Sequence, residues 1–246
     1  LVRNYPPAEQ INMLTFSKHR SAPLQLSSEL SSFCVDMQKN TKKILVLDLD
    51  ETLIHCRTQP FKAATVVSLM EIEEKLIPLF TALRPGLREF LQKMSECYTL
   101  VLFTSGMKEY AEVLLKDLHI DKYFYKVFHR GFCKLNTDKK FEKDLAIFGA
   151  HPRDIILVDD SLVHVRNQPK NILMIKRFQG EDGDQELSLI TPFLRSLSMS
   201  EDVRPVMENY IKFDEENGST GSQETRMINA KVLKITKNIL KAKDAL

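Results

Sequence analysis

Two kinds of apolar pattern alternate along the middle of this chain. ILVLD (44–48), TLVLFTS (99–105), YKVFH (125–129), DIILVDD (154–160) and NILMIKRF (171–178) are short continuous apolar runs rich in β-branched residues. A strand with no polar alternation is buried on both faces, which predicts parallel strands lying under helices. Between them the period lengthens to that of a helix. Arg84-Pro85-Gly86 introduces LREFLQKM, where Leu87, Phe90, Leu91 and Met94 share a face. KEYAEVLLKDLHI sets Ala111, Leu114, Leu115 and Leu118 on one stripe, and DQELSLITPFLRSL does the same with Leu187, Ile190, Phe193, Leu194 and Leu197. Pro192 interrupts the backbone donors of that last segment and is expected to distort or split it. KDLAIFG (143–149) reads as a short helix stopped by Gly149. Strands alternating with helices predict right-handed crossovers and an α/β, Rossmann-like, doubly wound sheet with helices on both faces.

Three segments stand outside this alternation. Residues 1–41, rich in Ser, Asn, Gln and Pro, read as a partly disordered extension with one docking segment at most. Residues 57–83 carry β-branched and acidic residues and read as an inserted β flap. Residues 214–246 hold a polar linker, EENGSTGSQE, and then a basic amphipathic stretch. Its Met227, Val232, Ile235 and Ile239 could line one side of a helix, docked on the core, on a partner helix or on a membrane surface. The main domain is therefore 42–213.

Composition narrows the function classes. With 35 basic and 33 acidic residues among 246, the net charge of +2 gives no whole-chain attraction to nucleic acid. No apolar run approaches the ~20 residues of a membrane span. Cys34, Cys56, Cys97 and Cys133 form no CxxC pair, which fits reduced thiols in an intracellular protein, nuclear or cytoplasmic. The chain starts at Leu1 rather than Met, which leaves an upstream targeting or anchoring segment open.

The candidate chemistry lies where the strands end. In a parallel sheet ligands bind beyond the carboxyl ends of the strands. Three strands finish on polar residues: Asp48 and Asp50, Thr104 and Ser105, Asp159 and Asp160. Four carboxylates converging there call for a cation, and hard oxygen donors suit Mg²⁺. One aspartate can attack phosphorus while a second protonates the leaving oxygen and later activates water. A hydroxyl such as that of Thr104 and a lysine such as Lys143 can hold the transferring group.

This set resembles the haloacid dehalogenase superfamily, whose phosphatases carry DxDx[TV] after the first strand. More narrowly it resembles the Fcp/Scp protein serine/threonine phosphatases, which include the small phosphatases acting on the RNA polymerase II C-terminal domain. The resemblance rests on DLDETLIH (48–55), LRPGLREFL (83–91), VLFTSGMKEYA (101–111), FHRGFCK (128–134), KFEKDL (140–145), ILVDDS (156–161) and DGDQEL (182–187). It implies Asp48 as nucleophile and metal ligand, and Asp50 as general acid/base that lends its backbone carbonyl to the metal. It implies Thr104, Ser105 and Lys143 as phosphate-binding, Asp160 as a side-chain metal ligand, Asp159 as a metal ligand or an orienter of one, and Arg130 near the substrate phosphate. The chain departs from the family pattern at Asp159-Asp160-Ser161-Leu162 in place of DNSP, at Gly131 in place of an acid, and at Phe178 in place of a tryptophan.

The interval from Thr104 to Lys143 leaves no room for a large cap domain, so the expected site is open and suits a phosphoprotein. Lys126, His129, Arg130, Lys134, Lys139 and Lys140 are expected to form a basic rim for an anionic phosphopeptide. Two other readings use the same residues: a phosphopeptide-binding scaffold with little catalysis, and a phosphatase of small molecules or nucleic-acid ends.

Overall fold

The computed structural model describes residues 23–38, 41–137, 139–161 and 168–208. The calls on residues 1–22, on the 214–224 linker and on the basic C-terminal stretch lie outside them.

Five parallel strands form the central sheet: β1 (Lys43–Leu47), β5 (Tyr98–Phe103), β6 (Lys126–Phe128), β9 (Ile155–Asp159) and β10 (Ile172–Met174). Their order is β10-β9-β1-β5-β6, so β1 lies at the centre between β9 and β5. Alternate residues serve opposite faces. Leu45, Leu47, Leu100, Leu102, Ile156, Val158 and Leu173 join one apolar core, built with α2 (Leu87–Cys97), α3 (Lys108–Asp117) and α4 (Glu186–Ser198). Ile44, Val46, Val101, Phe103, Ile155, Leu157 and Ile172 join a second core on the other side. The runs of β1, β5 and β9 are thus buried on both faces, as their pattern predicts, whereas at the edges of the sheet Lys126 and Val127 of β6 are half-buried and Met174 of β10 is exposed.

The second face is covered by α1 (Pro23–Gln38) and by a 3₁₀ turn, Leu145–Phe148. α1 lies within the segment read as an extension, and its Phe33 and Met37 are buried in that core. Phe33 meets Phe128 edge-on with ring centroids 5.2 Å apart, and Phe148 at 5.6 Å. The 3₁₀ turn replaces the short helix expected at 143–149. Asp144 caps its start by accepting from Ala146 N–H at 3.0 Å, and Gly149 ends it with φ +63°. A Cβ at Gly149 would stand 2.9 Å from Cys34 Sγ, so glycine serves both the turn and the close approach of α1.

α4 is not split by Pro192. Pro192 is exposed, and the carbonyl deprived of its donor belongs to exposed Ser188, where water can satisfy it.

The insertion is a three-stranded antiparallel sheet of order β2-β4-β3, made of β2 (Ile54–Arg57), β3 (Val66–Ile72) and β4 (Lys75–Leu83). It begins three residues before the expected flap. Its inner residues Met70 and Leu79 join the α2–α3–α4 core. The two-residue turn Glu73-Glu74 is left-handed at both positions (φ 46° and 62°), as a tight hairpin requires. A small hairpin, β7 (Lys134–Leu135) with β8 (Phe141–Glu142), completes the described strands. No helix among the described residues is long and apolar enough to cross a membrane. All four cysteines are free thiols.

Candidate active site

The sheet register sets the site. Leu47 pairs with Val158 on one side and Leu102 on the other, so Asp48, Asp159 and Phe103 are the next residues up. Asp48 N–H still bonds the Val158 carbonyl at 3.0 Å, which fixes its backbone beside β9. The chain then turns sharply. Leu53 and Ile54 both donate to the Leu49 carbonyl, at 2.9 and 3.1 Å, and Glu51 adopts φ +63°. Leu49 and Leu53 are fully buried, so the acids project from a loop anchored by apolar plugs.

Lys143 binds one acid from this loop and one from the end of β9. Its Nζ donates to Asp48 Oδ1 at 2.5 Å and to Asp159 Oδ2 at 2.7 Å, with no exposure of its side chain. Burial works against its charge, but Asp159 and Asp48 outweigh that and hold its pKa above the ordinary lysine value. Asp159 Oδ1 also accepts from Ser161 N–H at 2.8 Å. Carboxylate oxygens of Asp48, Asp159 and Asp160 all lie within 4.8 Å of one another. Three hard oxygen donors with one buried lysine between them leave excess negative charge, and that donor set fits Mg²⁺.

Asp50 stands apart from this cluster. Its Oδ1 accepts the hydroxyl of Tyr110 from α3. Burial pushes its pKa up to about 7; Tyr110 pulls it down, Asp48 and Glu51 push it up, and Lys143 pulls it down. The carboxyl of Asp50 is therefore not part of the three-acid cluster that could hold a cation among the described residues.

Thr104 and Ser105 lie at the carboxyl end of β5, next to β1. Thr104 is buried, and its Oγ1 accepts from Gly106 N–H at 2.9 Å. The Ser105 carbonyl accepts Arg130 Nε at 2.8 Å, Arg130 N–H donates to the Gly106 carbonyl, and the guanidinium lies 4.9 Å from the Phe141 ring centre. Arg130 is thereby fixed beside the loop that carries Thr104. Burial lowers its pKa below the ordinary guanidinium value. The basic rim is weaker than expected, because Lys134 is paired with Asp144. Lys139 and Lys140 are exposed.

The family model of NLI interacting factor-like phosphatases matches residues 43–204. The chain belongs to this family. Among curated relatives, it is 32% identical over 168 residues to CTD small phosphatase-like protein 2 of Dictyostelium discoideum, covering 68% of this chain and 30% of that protein. It is 31% identical over 162 residues to the CTD small phosphatase-like protein of Homo sapiens, covering 66% and 58%. It is 33% identical over 175 residues to nuclear envelope morphology protein 1 of Schizosaccharomyces pombe, covering 69% and 36%. The matched part thus spans from under a third to somewhat over half of these relatives. The fold is shared with structures of the RNA polymerase II CTD phosphatase Fcp1. One has a TM-score of 0.52 at 20% identity, covering 88% of this chain and 68% of that one. The other, fission yeast Fcp1 bound to beryllium fluoride, has a TM-score of 0.50 at 19% identity, covering 86% and 65%.

Three residues of the family domain escaped the sequence reading. Tyr110 precedes the apolar stripe of α3, four residues before Leu114, and that spacing was its signal. Arg84 is wholly buried: it holds Asp184 through Nε and Nη2 (2.7 and 2.8 Å) and donates to the carbonyls of Thr52 and Lys176. It ties the acid-bearing loop to the segment before α4. Arg177 lies at the rim, its Nε 3.4 Å from Glu51 Oε2 and 3.8 Å from Asp160 Oδ2. No periodicity marks either arginine.

Proposed function

We propose that this chain is a Mg²⁺-dependent protein phosphatase that hydrolyses phosphoserine or phosphothreonine through an aspartyl phosphate on Asp48. The observation that carries the reading is the pairing of one buried lysine with Asp48 and Asp159, beside a second aspartate whose pKa is pushed up to about 7. Lys143 keeps Asp48 ionised, and therefore nucleophilic, in a buried setting. Asp48 attacks phosphorus, the bond from phosphorus to the serine or threonine oxygen breaks, and protonated Asp50 gives its proton to that oxygen. Asp50, now a carboxylate, takes a proton from water as the water oxygen attacks phosphorus. Asp48 leaves as a carboxylate. Asp48, Asp159 and Asp160 would hold Mg²⁺, which when bound offsets charge on the phosphoryl oxygens. Thr104, Ser105 and Arg130 would receive the phosphoryl group and its flank.

A phosphoprotein substrate is supported by the absence of any cap domain between Thr104 and Lys143 among the described residues, where the chain spends its length on α3, β6 and two short hairpin strands. The relatives' names make the RNA polymerase II C-terminal domain the first substrate to try. We place the activity inside the cell, in nucleus or cytoplasm.

The test is turnover of p-nitrophenyl phosphate and of phosphoserine peptides with Mg²⁺, with EDTA, and by Asp48→Asn. Metal-dependent turnover lost in Asp48→Asn is expected. Absence of turnover on both substrates in folded, Mg²⁺-supplied protein would overturn the reading in favour of a phosphopeptide-binding module.

A further inference from the structure

Among the described residues, Asp48, Asp159, Asp160 and Glu51 stand at this edge of the sheet, and Lys143 and Arg177 face them. The two are held very differently. Lys143 is fully buried and makes ion pairs of 2.5 and 2.7 Å, so withdrawing it would strand Asp48 and Asp159 in the interior. Arg177 keeps 52% of its side chain exposed, and its contacts to Glu51 and Asp160 are 3.4 and 3.8 Å. An exposed ion pair at such separations is weak and easily exchanged for water.

Position makes that difference matter. Asp160 belongs to the three-acid cluster, whereas Glu51 does not. Arg177 therefore bridges one cluster acid and one acid outside it. Its backbone stays near in either case, because the next residue's N–H, that of Phe178, bonds the Glu51 carbonyl at 2.8 Å. Glu51 is itself fixed: Oε1 meets His55 Nδ1 at 2.8 Å, and His55 Nε2 accepts Arg57 Nε at 2.8 Å. Glu51 is a standing alternative partner for the guanidinium whenever Asp160 is taken.

We propose that Arg177 is the displaceable counter-ion of the cation site: it neutralises Asp160 in the metal-free protein, yields that carboxylate when a divalent cation enters, and stays on Glu51. Arg177 is a positioning residue in this scheme, and it sets how tightly the site takes its cation. The inference rests on the Mg²⁺ reading of the Asp48–Asp159–Asp160 cluster.

The test is Mg²⁺ binding to the full chain by titration calorimetry, without substrate, for wild type, Arg177→Gln and Arg177→Lys. Removing the competing charge is expected to tighten Mg²⁺ binding roughly three- to tenfold in Arg177→Gln, with the gain shrinking as salt screens it. Arg177→Lys, which keeps the charge, is expected to return most of the way to wild type. A merely structural role would move the melting temperature without this charge-dependent pattern in affinity. Equal affinities in wild type and Arg177→Gln would overturn the counter-ion inference alone. A wild-type protein that takes up no Mg²⁺ would overturn it together with the metal-dependent reading on which it rests.

Discussion

The hydroxyl of Tyr110, on α3, donates to the carboxylate of Asp50, on the loop after β1. The bond favours the ionised carboxylate, while burial favours the neutral acid, and the two set where Asp50 titrates. Tyr110→Phe removes the opposing influence, so the pKa of Asp50 rises further. Protonated Asp50 then persists to higher pH, and the descending limb of kcat/KM moves up. The later step of the proposed mechanism, which uses Asp50 as a base, then slows at the acid end. The expected result is kcat at pH 6 lower by a factor on the order of ten, with faster release of the first product than of phosphate in stopped-flow assays.

In the proposed mechanism the first step of the unaltered protein needs Asp50 protonated. The limb of kcat/KM therefore falls as pH rises through the Asp50 pKa, about 7 in the metal-free site. A cation beside it favours the carboxylate, so with Mg²⁺ the limb lies at or below that value. Leaving groups separate this from other titrations. A serine alkoxide needs the proton, and p-nitrophenolate barely does. Asp50→Asn is expected to cost roughly 10²–10⁴-fold in kcat/KM on a phosphoserine peptide and far less on p-nitrophenyl phosphate. Equal losses on both substrates would contradict the acid role.

Lys143→Met removes the buried ammonium that Asp48 and Asp159 both accept. The expected loss of stability is about 3–5 kcal/mol in urea unfolding without metal. Carboxylates are neutral at low pH and have no charge left to pair, so the loss shrinks as pH falls. Added Mg²⁺ is expected to raise the melting temperature of this variant more than that of wild type.

Arg84→Met is expected to separate stability from chemistry. The side chain is buried on Asp184, and Asp184 in turn accepts Glu186 N–H at 3.1 Å at the start of α4. Removing the arginine leaves Asp184 uncompensated and should cost about 3–5 kcal/mol. Below its melting temperature the variant should keep kcat/KM within about threefold, because Arg84 touches none of the four aspartates directly.

The strands and the positions of Asp48, Thr104 and Asp159 were legible because burial on both faces writes an unbroken apolar run, and the polar residue ending it marks the ligand edge. The helix stripes of α2, α3 and α4 were legible for the same reason at a longer period. What the sequence hid was pairing. Lys143 looks like any lysine before an apolar stretch, and only the fold carries it, from the residue after β8, to a place between Asp48 and Asp159. Arg84 reads as a helix-opening residue, and its partner Asp184 lies 100 residues on. Pro192 misled because its cost depends on which side of the helix meets solvent, and α1 was obscured by the polar composition around Phe33 and Met37.

That last helix separates two kinds of boundary. The family model begins at residue 43, yet the aromatic stack of Phe103, Phe128 and Phe148 is closed by Phe33, ten positions earlier. A polypeptide trimmed to residues 43–204 would keep every aspartate of the site and present a bare phenylalanine surface to water. Such a fragment would tend to self-associate, and its poor behaviour would be read as a weak catalyst when the fault is a missing lid on the far side of the sheet.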